Sequence, residues 1–316
     1  MTTQVAQKAK TATVFIDGEA GTTGLEIRER LAGIPAISVK SIDPERRKDK
    51  TARADMMRGV DLAVLCLPDD AAKEAVALAD TLGTDAPKII DASTAHRVAP
   101  GWVYGFAEMA PDQADAIRGA TRVSNPGCYP TGAIALLRPL IDAGIIPADY
   151  PITVNAVSGY SGGGRSMIEA YEAGKAPSFE LYGLGLEHKH VAELQKYAGL
   201  ERRPIFVPSV GNYHKGMLVS VPLHLDTLPG KPRLRDLERV LAERYRGSDL
   251  VRVIDEPSAH IARLESEALN NTDKLELYVF GKAALNQAVL VARLDNLGKG
   301  AAGAAVQNIK LMLGLG

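Results

Sequence analysis

Thr13-Val-Phe-Ile-Asp-Gly-Glu-Ala-Gly-Thr-Thr-Gly24 opens as an apolar strand, turns through three glycines and runs into a helix. Thr13–Ile16 has the character of a short buried strand, and Leu25, Ile27 and Leu31 then recur at helical spacing. Strand, glycine-rich turn and helix make the phosphate-cradling unit of dinucleotide-binding folds. Glycines let the backbone approach a pyrophosphate, and the helix N-terminus supplies free N–H donors. The spacing of Gly18, Gly21 and Gly24 is G-x-x-G-x-x-G, whereas the commoner fingerprint is G-x-G-x-x-G, so a tight turn without a ligand is the competing reading.

The residues that follow extend the pattern. Ala36–Ile42 reads as a second strand, at whose end an acid would serve the ribose of NAD and cations the 2′-phosphate of NADP. Here Ser41 is followed by Asp43 and by Glu45-Arg46-Arg47-Lys48, which favours NADP, held by Ser41 with Arg46, Arg47 or Lys48. Val60–Pro68 is nearly continuous apolar, as in a parallel strand buried on both faces, and a helix over Ala71–Leu82 follows. Cys66, inside that strand, reads first as core packing. Lys88–Asp91 is a further strand, and it delivers Asp91–Arg97 to the edge where ligands of open α/β sheets gather. Arg97 is therefore a candidate for bidentate binding of an anionic substrate group. Trp102–Glu108 is expected to be extended, with Glu108 near the same edge.

Ser124-Asn-Pro-Gly-Cys-Tyr-Pro-Thr-Gly132 lies between a strand end at Thr121–Ser124 and an apolar helical pattern through Ile134, Leu137, Leu140 and Ile141. Pro130 suits the first turn of that helix, where a missing N–H costs nothing. Cys128 is thereby placed at a helix start, where the dipole and free N–H groups favour a thiolate, the reactive form. A buried structural cysteine is the alternative.

Beyond this helix the pattern changes. Ile152–Ser158, Pro204–Val210, Met217–Leu225, Lys274–Phe280 and Gln287–Asp295 read as strands with partial alternation, and Leu234–Tyr245 and Glu256–Leu264 as helices. This predicts a second, α+β domain on a mainly antiparallel sheet. Lys299–Leu313 has helical spacing at Ala302, Val306, Ile309 and Leu313 and is expected to pack back on the first domain. Glu187-His-Lys-His-Val-Ala-Glu193 holds two histidines and two acids. Histidines two apart do not share a helix face, so a metal site is not expected. A histidine oriented by a glutamate three positions on suits general acid/base work near neutral pH.

Composition sets the class. At 316 residues the chain allows two domains, and 46% hydrophobic with 24% charged residues is ordinary globular usage. A net charge of −1 gives no reason to expect nucleic acid or an anionic membrane as partner. No stretch approaches the roughly 20 apolar residues of a membrane span. Two distant cysteines fit no disulfide framework, and Met1–Ala12 lacks the apolar run of a signal peptide, so the expected location is cytoplasmic.

A dinucleotide domain, one activated cysteine and a histidine–glutamate pair share one chemistry, the reduction of an activated acyl group through a thioester. The Gly18–Gly24 turn, Ser124–Thr131, Gly159-Tyr-Ser-Gly-Gly-Gly-Arg165, His188-Lys-His190-x-x-Glu193 and Asn296–Asn308 together resemble the shorter type of the N-acetyl-gamma-glutamyl-phosphate reductase family of arginine biosynthesis. The resemblance spans almost the whole chain. It implies a Rossmann-type NADP(H) domain over 1–127 with 296–316, and a catalytic and oligomerisation domain over 128–295. It implies NADPH-dependent reduction of N-acetyl-glutamyl phosphate to the semialdehyde, with Cys128 as nucleophile, His190 oriented by Glu193 as acid/base and His188 assisting. Arg97, Arg165, Ser158 and Gly159 would meet the substrate. Gly18, Gly21, Thr22, Thr23, Gly24, Ser41, Arg46, Cys66, Pro68, Ser93 and Asn296 would meet the cofactor. The assembly implied is a homodimer or homotetramer. An aspartate-semialdehyde dehydrogenase and a non-catalytic NADP-binding regulator are the alternatives.

Overall fold

The computed structural model describes residues 11–315; residues 1–10, most of the stretch read above for a signal peptide, and residue 316 lie outside the described residues. The first half alternates strands with helices: β1 (Ala12–Asp17), α1 (Thr22–Ala32), β2 (Ile37–Lys40), α2 (Lys50–Arg58), β3 (Leu62–Leu65), α3 (Asp69–Asp80), β4 (Lys88–Asp91), β5 (Val103–Tyr104), α4 (Gln113–Gly119) and β6 (Arg122–Ser124). The strands form one parallel sheet in the order β2-β1-β3-β4-β6-β5. The chain leaves β1 for opposite sides of the sheet at β2 and β3, and the crevice at such a switch point is where a dinucleotide binds.

The connecting helix α5 (Cys128–Asp142) leads into β7 (Thr153–Gly159), α6 (Arg165–Glu172), β8 (Phe179–Leu181), α7 (Val191–Ala198), β9 (Ile205–Gly211), β10 (Met217–His224), α8 (Leu234–Arg244), β11 (Val251–Val253), β12 (Leu275–Lys282) and β13 (Gln287–Leu294). A second, mixed sheet runs β11-β12-β13-β10-β7-β9-β8. Its centre is antiparallel, with β10 paired to β13 along its whole length; only β7–β9 and β11–β12 are parallel. One face carries Val219, Val221, Leu277 and Leu290 into a core shared with Ala133, Leu136, Leu137 and Leu140 of α5. The helix that begins with Cys128 is thus embedded against the second sheet, while its N-terminus meets the edge of the first.

After β13 the chain makes one π-helical turn (Gly298–Ala302) and enters α9 (Gly303–Leu313). Ala305, Val306, Ile309 and Met312 of α9 pack with Val14, Ile16, Ile27 and Leu31, so the last helix covers the first sheet, as its spacing predicts. Other expectations are corrected. Glu256–Leu264 is not a helix: Glu256 lies at φ 41°, off the helical path, and a single tight turn ends at Ala259. Trp102–Glu108 contributes only a two-residue strand, and β2 stops at Lys40, leaving Ser41 and Ile42 in the following loop. Among the described residues no helix is long and apolar enough to cross a membrane.

Candidate active site

The first-sheet turn is built for close approach. Gly18 has φ 87°, and a side chain there would overlap the Cys66 carbonyl; a Cβ at Gly24 would come 2.6 Å from the Gly18 oxygen. α1 starts at Thr22 with no side chain capping it, so its first N–H groups stay available. Gly18 and Gly21 line a cavity of about 420 Å³ with Ile42, Arg47, Cys66 and Pro68. This cradle, with bare glycine backbone at Gly18 and Gly21 and the uncapped start of α1 beside it, fits a dinucleotide. The Ser41 hydroxyl donates to Glu19 Oε2 at 2.8 Å and accepts from Arg28 Nη1 at 2.7 Å. Arg28, which the sequence reading missed, is therefore the cation beside Ser41. Arg46 lines a cavity with Ser41 while pairing with Asp49 at 3.5 Å, and Ser93 is turned inward to the Asp91 carboxylate.

A second cavity of about 380 Å³ lies between the two sheets. Thr22 and Thr23 reach it from the cofactor side, Arg97 and Cys128 from the edge of the first sheet, and Ser158, Gly159, His188, His190 and Asn296 from the second domain. Cys128 is partly accessible and is the first residue of α5. Gly127 before it is hemmed in: a Cβ there would come 2.6 Å from Arg97 Nη1, 2.7 Å from Glu193 Oε1 and 2.8 Å from His190 Nε2. Gly300 of the π turn faces the Cys128 Cβ as closely, 2.8 Å from where its own Cβ would be. Two glycines thus leave room for Arg97, Glu193 and His190 to crowd the turn that leads into Cys128.

Burial decides the charge states. It pushes the Cys128 thiol up to about 11, against the pull of the Arg97 guanidinium and the Tyr129 backbone N–H. The helix-start expectation of a resting thiolate is corrected accordingly: desolvation outweighs the dipole. His190 is held well below its ordinary 6.5 by burial and by Arg97, and His188 down to about 4 by burial, Lys189 and Arg97. Both imidazoles are neutral at pH 7, and a neutral imidazole can accept the proton of a thiol. His188 Nδ1 accepts the His190 backbone N–H at 3.1 Å, which fixes the Nε2–H tautomer of a neutral His188 ring.

Glu193 does not orient His190 by a hydrogen bond, since its Oε1 lies 3.9 Å from Nε2. Its carboxylate instead accepts from Arg97 Nη1 at 2.5 Å, the Tyr104 hydroxyl at 2.7 Å and the Gly127 N–H at 3.0 Å. Arg97 also donates to the carbonyls of Asn125 and Ala92, leaving two of its five N–H groups for a ligand. Asn296 is buried, accepting from Gly216 N–H and donating to the Ser161 hydroxyl, both at 2.9 Å. Arg165 is not brought into the cavity: its side chain is 80% exposed and pairs with Glu169 one turn on. Lys189 and Tyr182, given no role from sequence, do line it. The signal for Lys189 was its place between two histidines; for Tyr182 there was none. No group of three or more His, Cys, Asp or Glu side chains among the described residues is arranged to hold a metal.

A switch-point dinucleotide crevice opening beside a cysteine-bearing helix start, closed by a mixed second sheet, defines a dehydrogenase of the semialdehyde dehydrogenase class. The description "Semialdehyde dehydrogenase, NAD binding domain" matches residues 19–117, and "Semialdehyde dehydrogenase, dimerisation domain" matches residues 128–296. Proteins named N-acetyl-gamma-glutamyl-phosphate reductase from Brucella ovis and Brucella canis are each 55% identical over 307 residues, covering 95% of this chain and 98% of theirs. The chain belongs to the semialdehyde dehydrogenase family and, within it, to the N-acetyl-gamma-glutamyl-phosphate reductases. Its fold is shared with aspartate semialdehyde dehydrogenase II of Vibrio cholerae (TM-score 0.71, 17% identity, 96% of this chain and 98% of that one) and with the Candida albicans aspartate semialdehyde dehydrogenase (TM-score 0.66, 13% identity, 96% and 98%).

Proposed function

We propose that this enzyme reduces N-acetyl-L-glutamyl 5-phosphate to N-acetyl-L-glutamate 5-semialdehyde with NADPH, releasing phosphate, as a step of arginine biosynthesis. The observation that carries the substrate reading is the lining of the cysteine cavity. It holds two cations, Arg97 and Lys189, and no aspartate or glutamate. Such a site suits a substrate with two anionic groups and a masked amino group. A free ammonium, as in aspartyl phosphate, would find no carboxylate there.

His190 takes the Cys128 proton as the sulfur attacks the acyl carbon; the S–C bond forms, the bond from that carbon to the phosphate oxygen breaks, and phosphate leaves. When bound, NADPH supplies the hydride that brings the thioester to the aldehyde level. His190 then returns its proton to the sulfur as the C–S bond breaks. Arg97 holds the substrate carboxylate through its two remaining N–H groups, and His188 donates from Nε2. Ser158 and Gly159 form the cavity wall on the second-sheet side. The Gly18–Gly24 turn with Thr22 and Thr23 holds the pyrophosphate, Cys66 and Pro68 wall the adenosine side, and Ser41 with Arg28 takes the 2′-phosphate. Asn296 closes the nicotinamide end.

Of the described residues, 11–127 with 296–315 form the cofactor domain and 128–295 the catalytic and assembly domain in this reading. The working unit is a homodimer, or a homotetramer built from two such dimers. The matched dimerisation description supports it, as do the exposed Phe179, Leu181, Leu184 and Val289 of the second domain. Two free cysteines accord with a reducing cytoplasm.

Cys128→Ser tests the mechanism: acyl-phosphate reduction is expected to vanish while NADPH still binds, and full activity would sink the thioester. Oxidation of N-acetylglutamate semialdehyde and of aspartate semialdehyde, each with phosphate and NADP, tests the substrate. Equal rates with both would overturn the reading of the cavity charge.

A further inference from the structure

Tyr104 lies in the shortest strand of the first sheet and is almost completely buried. Its hydroxyl donates to Glu193 Oε2, its ring stacks on Tyr197 at 3.8 Å, and burial together with Glu193 keeps the phenol protonated. Glu193 reaches it from the other domain. The carboxylate is therefore clamped from three directions, by Tyr104 and Arg97 of the first domain and by the Gly127 N–H that leads into Cys128. Oε1, the oxygen nearer the imidazole, accepts from Arg97, and Oε2 from Tyr104 and Gly127; His190 Nε2 stays 3.9 Å from Oε1, and its Nδ1 is unpartnered.

We propose that Tyr104 is a positioning residue for proton transfer between Cys128 and His190: it holds Glu193 on the cysteine turn and on Arg97, and so off the imidazole. This rests on the thioester reading above. Were the Tyr104 hydroxyl absent, Oε2 would keep a single donor, the Gly127 N–H, and a carboxylate already 3.9 Å from His190 Nε2 through Oε1 would be freer to turn to a protonated imidazole. A carboxylate that swings to His190 stabilises the imidazolium and blocks it as acceptor of the thiol proton. The other groups around the ring pull against that change or are neutral. Arg97 comes from the loop after β4, His188 and Lys189 from the segment before α7, and Cys128 and Tyr129 from α5.

The test is Tyr104→Phe in the full-length enzyme, read by the pH dependence of kcat/KM and of Cys128 alkylation by iodoacetamide. The acid limb of both profiles is expected to move up by about one pH unit, the scale of one charge-assisted hydrogen bond. Tyr197→Phe, which removes a bond to the Arg97 carbonyl and leaves Glu193 untouched, is expected to leave the acid limb in place. A uniform loss of rate at every pH in Tyr104→Phe, or no change, overturns the proposal and assigns the tyrosine to packing. Should Tyr104→Phe fold poorly, Glu193→Gln is read alone: with no carboxylate to swing onto His190, its acid limb must not move up, and an upward shift refutes the proposal. With the charge gone, Tyr104→Phe on that background should shift nothing further, and an additional shift refutes the coupling. Retained activity in Cys128→Ser would sink the thioester itself, a separate result.

Discussion

Replacing Gly127 with alanine adds one methyl group at a backbone position, φ −77°, that any residue can adopt, so no backbone strain complicates the outcome. The methyl carbon meets Arg97, Glu193 and His190 at 2.6–2.8 Å, each at least about 0.6 Å inside the 3.4 Å where ordinary contact begins. None of the three can retreat freely. Glu193 is held by Tyr104, Arg97 by two backbone carbonyls, and the His190 ring is buried at the start of α7. Overpacking of this kind costs about 1–3 kcal/mol, or a few degrees of melting temperature. Its effect on the reaction is larger, because a displacement approaching an ångström between nucleophile and base lowers a rate by about a hundredfold. Steady-state kcat/KM with N-acetyl-glutamyl phosphate, NADPH binding by fluorescence and thermal unfolding would be measured together. The expected pattern is a large loss of kcat/KM with cofactor binding retained. Wild-type kcat/KM in a folded Gly127→Ala enzyme would refute the close packing of these groups around Gly127.

Arg28→Gln should lower the preference for NADPH over NADH about ten- to a hundredfold, since a hydrogen bond from a charged group contributes about 1.5–3 kcal/mol; an unchanged ratio of kcat/KM values would exclude Arg28 from phosphate binding. His188 is held at about 4 in the folded protein against 6.5 unfolded, so between those values the unfolded state binds the extra proton. Stability should therefore fall as pH drops from 6.5 towards 4, and His188→Gln should flatten part of that slope in urea titrations. Arg165→Ala should leave kcat/KM within about twofold, as expected of an exposed i,i+4 pair; a large rise in KM would return this arginine to the substrate.

Much of this was legible in the chain, for identifiable reasons. The Gly18–Gly24 turn and the strand at Leu62–Leu65 declare themselves through local pattern, and so does the helix start at Cys128, because each is decided by neighbours a few residues away. The Glu256 stretch misled, since its apolar spacing carried no information about the left-handed backbone at Glu256. β8 and β11, three residues each, and the short helices α2, α4, α6 and α7 are below the length at which periodicity speaks. The site's supporting residues were hidden for another reason. Tyr104 and Glu193 are 89 positions apart and Arg28 reaches Ser41 from a neighbouring helix, so only the folded arrangement reveals either pairing. The thiol's protonation was misjudged because a helix dipole is visible in sequence and desolvation is not.

The packing of α9 on the first sheet has a consequence for synthesis. Ala305, Val306, Ile309 and Met312 complete a core whose other members, Val14, Ile16, Ile27 and Leu31, emerge from the ribosome almost the whole length of the chain earlier. Until residues 303–313 are released, the nascent cofactor domain carries an uncovered apolar face, and the entire second sheet is translated in the meantime. Exposed faces of that kind are where chaperones act and where aggregation begins. Removing the final helix would accordingly leave a sticky, incomplete first domain, even though no residue of α9 lines the cysteine cavity.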